Sequence, residues 1–204
     1  MKSINSFRQI QERIQSMSNG EIFIMSDFLD IANEATVRKT LSRLKENGEI
    51  HWIMRGIYMK PEFNDFLNEY VKPDPDKIAK AVARNYGWRI VPFADTALNM
   101  LGISTQVPAV WVYVSDGTYK EYSYDNIMIK FKHTMNKEIS QLSYKTALVI
   151  QAVKALGKEN VSGVVIRKIA SLLTVDEKVV MLSEAKYTTT WIYDVIKEIC
   201  ESEK

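Results

Sequence analysis

Asn33-Glu-Ala-Thr-Val-Arg-Lys-Thr-Leu-Ser-Arg-Leu-Lys-Glu-Asn-Gly48 decides how the first third of this chain is read. Val37, Leu41 and Leu44 recur at i, i+4 and i+7, which puts them on one face of a helix. Lys39, Ser42 and Arg43 fall roughly opposite, and Thr36, Arg38 and Thr40 flank them toward the N-terminal end. Asn33 is a good N-cap and Asn47-Gly48 a C-terminal stop, so the spacing predicts a helix over Glu34–Glu46.

Outward from this helix the pattern continues on both sides. Ser26 to Ala32 reads as a short helix capped by Ser26, with Phe28, Leu29 and Ile31 facing inward. Ile4 to Met17 reads as an amphipathic helix carrying Phe7, Ile10, Ile14 and Met17 on one side. Glu49 to Lys60 offers two short β-prone runs around Arg55-Gly56, and Pro61 stops the second. Helix, helix and two-stranded ribbon in this order is the layout of a winged helix-turn-helix, whose second helix fits the major groove of double-stranded DNA. Thr36, Arg38, Lys39, Thr40, Ser42 and Arg43 are then the candidate DNA-binding residues on the helix, and Arg55 the candidate at the wing tip.

From Glu34 to Lys60 there are six basic and three acidic side chains, a modest local excess. The whole chain carries a formal net charge of +2 over 204 residues, so attraction to nucleic acid has to come from that local patch. A charged helix face is also the ordinary face a helix shows to water. Winged helices serve as protein-binding modules as well, and this second reading stays open.

Two prolines among charges, Lys72-Pro-Asp-Pro-Asp76, form the best boundary signal. They separate a DNA-binding domain over 1–72 from a second module over 73–204. A short helical piece over Glu62–Tyr70 leads into the boundary, and Asp76 opens a helix running to Tyr86. Beyond it the pattern is mixed α/β. Strands are expected at Trp88–Val91, Ala109–Val114, Tyr119–Tyr124 and Ile127–Lys132, and a short helix capped by Asp95 or Thr96 ends at Gly102. Asp116-Gly117 reads as the turn between the second and third of these strands. From Leu142 the pattern is helical, closing on a stripe of Trp191, Ile192, Val195, Ile196 and Ile199. The expected fold class is therefore α+β: an N-terminal winged helix-turn-helix, then a mixed α/β module with a helical C-terminal region.

Catalysis finds little support. Asp116, Glu121, Asp125 and Lys130 would be the acidic cluster of a metal-dependent nuclease, but the usual acidic-x-Lys pairing is missing there. The only literal match, Asp176-Glu-Lys178, sits in a capping box formed by Thr174 and Glu177. Two histidines, His51 and His133, and one cysteine cannot build a His- or Cys-rich metal site. No glycine-rich phosphate loop or nucleophile elbow is present. No catalytic residue, metal or cofactor is assigned. The aromatic run Trp111, Tyr113, Tyr119, Tyr122, Tyr124 reads as core and cross-strand pairs before it reads as a base-stacking platform. Cys200 excludes an internal disulfide and suits a reducing cytoplasm, packing rather than redox chemistry being its expected role. No signal sequence and no apolar run of membrane-spanning length is visible, so the expectation is a cytoplasmic protein.

Phe28 through Pro61, with Val37-Arg-Lys-Thr-Leu-Ser-Arg-Leu44, Asn47-Gly-Glu-Ile50 and Arg55-Gly-Ile-Tyr58, resembles the N-terminal domain of AbiEi-type antitoxins of bacterial abortive-infection systems. The likeness continues through Ile78–Pro92 and Thr96–Pro108 and covers roughly the first three quarters of the chain. One departure is Phe93-Ala94-Asp95, where relatives are expected to carry a smaller, glycine-containing stretch. The resemblance implies a transcriptional repressor that binds its own promoter and counteracts a nucleotidyltransferase-like toxin encoded beside it. Under that reading the second module supports homo-oligomer assembly or neutralisation of the toxin.

Overall fold

The computed structural model describes residues 6–134 and 141–202, and the expected helix start at Ile4 lies outside them. The described residues form a mixed α+β fold in two compact units that divide between Gly87 and Trp88. Among the described residues no helix is long and apolar enough to cross a membrane.

In the first unit, α1 (Ser6–Ser16) and α2 (Glu34–Glu46) pack together over a three-stranded antiparallel sheet of order β1-β3-β2, made of β1 (Ile22–Ile24), β3 (Ile57–Met59) and β2 (His51–Met54). Ile10, Ile14, Phe23, Phe28, Val37, Leu41 and Leu44 form one core, so the i, i+4, i+7 stripe of α2 does point inward. Phe23 belongs to this core, and the pleat therefore sends Ile22 and Ile24 to the other face. All three are buried, because α3 (Pro75–Tyr86) packs on β1 and buries Ile78, Ala79 and Val82. β1 is only three residues long, and nothing in the sequence had marked it as a strand.

The helix expected over Ser26–Ala32 is instead a single 3₁₀ turn, Met25–Phe28. Its hydrogen bonds explain the shortening. The Asp27 carboxylate accepts from the Ile24 N–H at 2.9 Å, while Arg13 of α1 donates to the Asp27 carbonyl and to both Asp30 carboxylate oxygens. Past Phe28 only a hydrogen-bonded turn follows, in which the Phe28 carbonyl accepts from the Ile31 and Ala32 N–H groups, so the segment does not continue as regular helix.

The segment Glu62–Tyr70, expected to be helical, is a hairpin of β4 (Phe63–Asn64) and β5 (Glu69–Tyr70). The Asn64 side chain decides this by accepting from the backbone N–H groups of Phe66 and Leu67, and Asn68 completes the turn with φ 53°. Asn and Asp favour such local turns over helix. Helix α3 is capped by Asp74 with Pro75 at its first position, so it starts before Asp76. It belongs to the first unit. The division thus falls after Gly87 and not at Lys72, because the Pro-Asp-Pro segment is a cap for α3 and not a linker.

In the second unit, β6 (Ile90–Pro92), β7 (Val110–Ser115), β8 (Lys120–Tyr124) and β9 (Ile127–His133) form a sheet of order β6-β7-β9-β8. The strands lie near where the sequence put them, but Asp116-Gly117 does not close a hairpin. β9 lies between its two predecessors, parallel to β7 and antiparallel to β8. The tight turn is Asp125-Asn126, with Asp125 at φ 47°. Tyr113, Phe131 and Tyr122 pack ring against ring, so these members of the aromatic run serve the core. α4 (Asp95–Met100), α5 (Tyr144–Leu156), α6 (Gly163–Ser171), α7 (Val175–Glu184) and α8 (Thr190–Glu201) gather around a second core. The closing stripe completes it, with Ile192, Ile196 and Ile199 buried and Trp191 and Val195 packed alongside. α7 opens with the expected Thr174–Glu177 capping box.

Candidate nucleic-acid interface

Helix α2 positions most of the candidate residues. Asn33 caps it by accepting from the Thr36 N–H at 3.0 Å, and Val37, Leu41 and Leu44 are fully buried against the core. That anchoring turns Glu34, Ala35, Arg38, Lys39, Ser42 and Arg43 outward, all of them exposed. Thr36 is half-buried. Thr40 is withdrawn: only 4% of its surface is exposed, so it drops out as a candidate for reading bases. On the helical wheel it stands outside Leu44 at the edge of the apolar stripe, where the packing of α1 against α2 decides its burial.

The exposed cations are not equivalent. Arg38 is ion-paired to Glu34 one turn earlier, and Ser42 donates to Glu46 at 3.1 Å. Lys39 and Arg43 flank a shallow groove of about 390 Å³ between α1 and α2, whose walls include Phe7 and Thr36. The Arg43 guanidinium lies 5.8 Å from the centre of the Phe7 ring, which fixes its direction by a cation–π contact. Two cations over a groove with an aromatic wall form a seat for an anionic group. The Tyr58 hydroxyl on β3 is pushed up from its ordinary pKa by burial, with the nearby Arg38 charge opposing the shift.

The β2–β3 turn carries Arg55 exposed beside Gly56 at φ 78°. A further pair lies between α2 and this ribbon and was not singled out from the sequence. Lys45 sits 5.6 Å from the ring centre of Trp52, which is 49% exposed and stands opposite Tyr58 across the strands. Alternation along Trp52-Ile53 was the available signal, since a buried Ile53 forces its neighbour outward. His51 packs edge-on to Tyr70 at 4.6 Å, which ties the ribbon to the following hairpin.

The acidic residues weighed for a nuclease make separate contacts. Glu121 is ion-paired to Lys130 at 2.9 Å, which together with the Tyr119 hydroxyl holds its carboxyl below the ordinary range. Asp116 accepts from the Arg89 N–H at 2.8 Å, and Asp125 occupies the β8–β9 turn. Among the described residues no three His, Cys, Asp or Glu side chains gather in a metal-holding group.

Comparison with curated proteins gave no match. A family model matches residues 9–181, which takes in every exposed residue of this face, and the chain belongs to that family, DUF6088, a family of unknown function.

Proposed function

We propose that the first unit is a winged helix-turn-helix and that the chain is a DNA-binding repressor acting as the antitoxin of a toxin–antitoxin operon. It binds its own promoter and counteracts a nucleotidyltransferase-like toxin. The observation that carries the DNA-binding part is the division of α2 into a fully buried stripe and an outward face bearing Lys39, Ser42 and Arg43. A helix fixed in this way offers cations to phosphates and hydroxyls to base edges. Arg55, exposed at the β2–β3 turn, adds a second point of contact with the backbone or a minor groove. The antitoxin part rests on the resemblance of Phe28–Pro61 and the segments after it to AbiEi-type antitoxins.

The test is a footprint on the DNA upstream of the chain's own gene, repeated with Lys39→Ala/Arg43→Ala and with Arg55→Ala. A protected site is expected for the wild type. The double variant should lose affinity, with the salt slope falling by about one for each phosphate contact removed. Arg55→Ala should weaken binding to all sequences alike. Unchanged binding by the double variant would remove α2 from the interface. Co-expression with the neighbouring gene tests the antitoxin half: a toxic product whose effect this chain relieves is the expected result.

One observation favours a second reading, a protein-interaction module. The β4–β5 hairpin presents Phe66, 94% exposed, together with Leu67, and is flanked by Glu62, Asp65 and Glu69 with no basic residue among them. Phosphates repel such a tip, whereas an apolar pocket with a basic rim on another protein suits it.

A further inference from the structure

The second unit contains a cleft of about 540 Å³ between α5, the end of α7 and the turn that leads into α8. Leu142 and Ile150 supply an apolar wall, and Gln151, Glu184, Tyr187 and Lys154 supply its polar and aromatic features. The volume lies within the range of about 300–1,000 Å³ usual for small-molecule sites, and an apolar cleft with a few convergent polar groups is their usual composition.

Gln151 is the unusual member. It is only 4% exposed, yet its amide has no hydrogen-bond partner among the described residues, and it lines the cleft. Buried amides are normally satisfied, and one left open toward a cavity is placed to meet something that enters it. Three of the other polar groups are already engaged. Glu184 accepts from the Ser143 N–H and hydroxyl, Ser183 donates to the Val180 carbonyl at 2.9 Å, and Thr188 donates to the Ala185 carbonyl at 2.7 Å. Gln151 thus offers both a donor and an acceptor in one plane.

Tyr187 lines the same cleft and is 95% exposed, a large ring surface left in water beside an apolar wall. Such a ring is suited to cover the flat face of a ligand. The carboxylate of Glu184 disfavours an anion, and Lys154 balances its charge, which selects a neutral group over a phosphate.

We propose that this cleft binds a planar, neutral heterocycle with a donor and an acceptor on one edge, the chemistry of a nucleobase. Gln151 reads the edge, Leu142 and Ile150 take the ring, and Tyr187 covers it. This site is independent of the DNA-binding reading, because every residue that forms it lies in the second unit.

The experiment uses the full chain with adenosine, guanosine, cytidine and uridine, each at millimolar concentration. Binding is followed by saturation-transfer NMR and by the shift in melting temperature. Saturable binding of at least one nucleoside is expected. Gln151→Leu should weaken it roughly tenfold, and Tyr187→Ala should weaken it as well. Gln151→Leu should melt no lower than the wild type, since no hydrogen bond is lost. Absence of binding by all four nucleosides overturns the proposal, as does equal binding by both variants. A marked fall in the melting temperature of Gln151→Leu also overturns it, by making the amide a structural group.

Discussion

The Arg38 guanidinium is held by the Glu34 carboxylate one turn earlier on the outward face of α2. Glu34 sits in the first turn of the helix, where a carboxylate also favours the helix dipole. The pair is exposed, so its contribution to stability is small, a few tenths of a kcal/mol. Its effect on an anionic partner is larger in proportion, because one of the four cations of the helix is already neutralised.

Glu34→Gln should therefore separate stability from binding. The melting temperature should fall slightly, while affinity for the proposed operator rises. If the released Arg38 takes up a phosphate, the salt slope steepens by about one. Fluorescence anisotropy at two salt concentrations measures both quantities. Weaker binding by Glu34→Gln would mean that the carboxylate orients Arg38 for its contact.

Ala94 carries a backbone conformation, φ 50° and ψ −125°, that L-residues rarely adopt. Its neighbours fix it there. Phe93 N–H donates to the Val112 carbonyl, and the Thr96 hydroxyl accepts from Val112 N–H at 2.8 Å, binding both sides of the residue to β7. Strain of this kind costs about 1–3 kcal/mol, and glycine loses about 0.5–1 kcal/mol of that gain to backbone entropy. Ala94→Gly should then stabilise the second unit by about 1 kcal/mol, read as a rise of a few degrees in melting temperature. A lower melting temperature would show that the alanine methyl contributes packing that outweighs the strain.

This position also shows what the sequence made legible. The resemblance alone set a glycine-containing stretch against Phe93-Ala94-Asp95, and the positive φ of Ala94 follows from the pairing of β6 with β7 and the start of α4, which the sequence does not display. The stripe of α2, the Arg55-Gly56 turn and the Thr174–Glu177 capping box were all legible, because each depends on side chains within one or two turns of one another. The hairpin at 62–70 and the order of the sheet were not. Two-residue strands leave no periodicity, and the insertion of β9 between β7 and β8 is decided by pairing across the sheet. On the candidate face, charge and wheel position located Lys39 and Arg43. The burial of Thr40 and the pairing of Arg38 depend on the neighbouring helix and on rotamers, which a wheel does not contain.

Cys200 on α8 is half-buried beside the Lys178 carbonyl, 3.5 Å from its sulfur. Burial pushes its thiol above the ordinary value; the Lys178 charge opposes this and Glu201 reinforces it. The folded pKa is thus above the unfolded one. The associated stability is fully present below the ordinary thiol range and is lost as pH rises through the folded value. Alkylation by iodoacetamide should be slow near neutral pH, with a midpoint above that of a free thiol. Cys200→Ala should remove this alkaline component from the pH dependence of melting. An alkylation midpoint at or below the ordinary thiol value would contradict the assignment.

The place where the first unit ends has a direct consequence for any fragment made from it. A chain cut at Lys72, where the proline-rich segment invites a boundary, lacks α3. That helix buries Ile78, Ala79 and Val82 and covers the face of the sheet to which Ile22 and Ile24 point. Burial of a large aliphatic side chain is worth about 1.5–3 kcal/mol, and a small domain has only about 5–15 kcal/mol of net stability. Loss of Ile78 and Val82, with exposure of the strand residues beneath, consumes most of that margin. Residues 1–72 should therefore be largely unfolded or aggregated, whereas residues 1–87 should melt cooperatively and show dispersed amide resonances. The longer fragment should also keep the α2 face intact, so DNA binding can be measured on it apart from the second unit. Cooperative melting of residues 1–72 at the same temperature as 1–87 would show that α3 adds nothing to the first core.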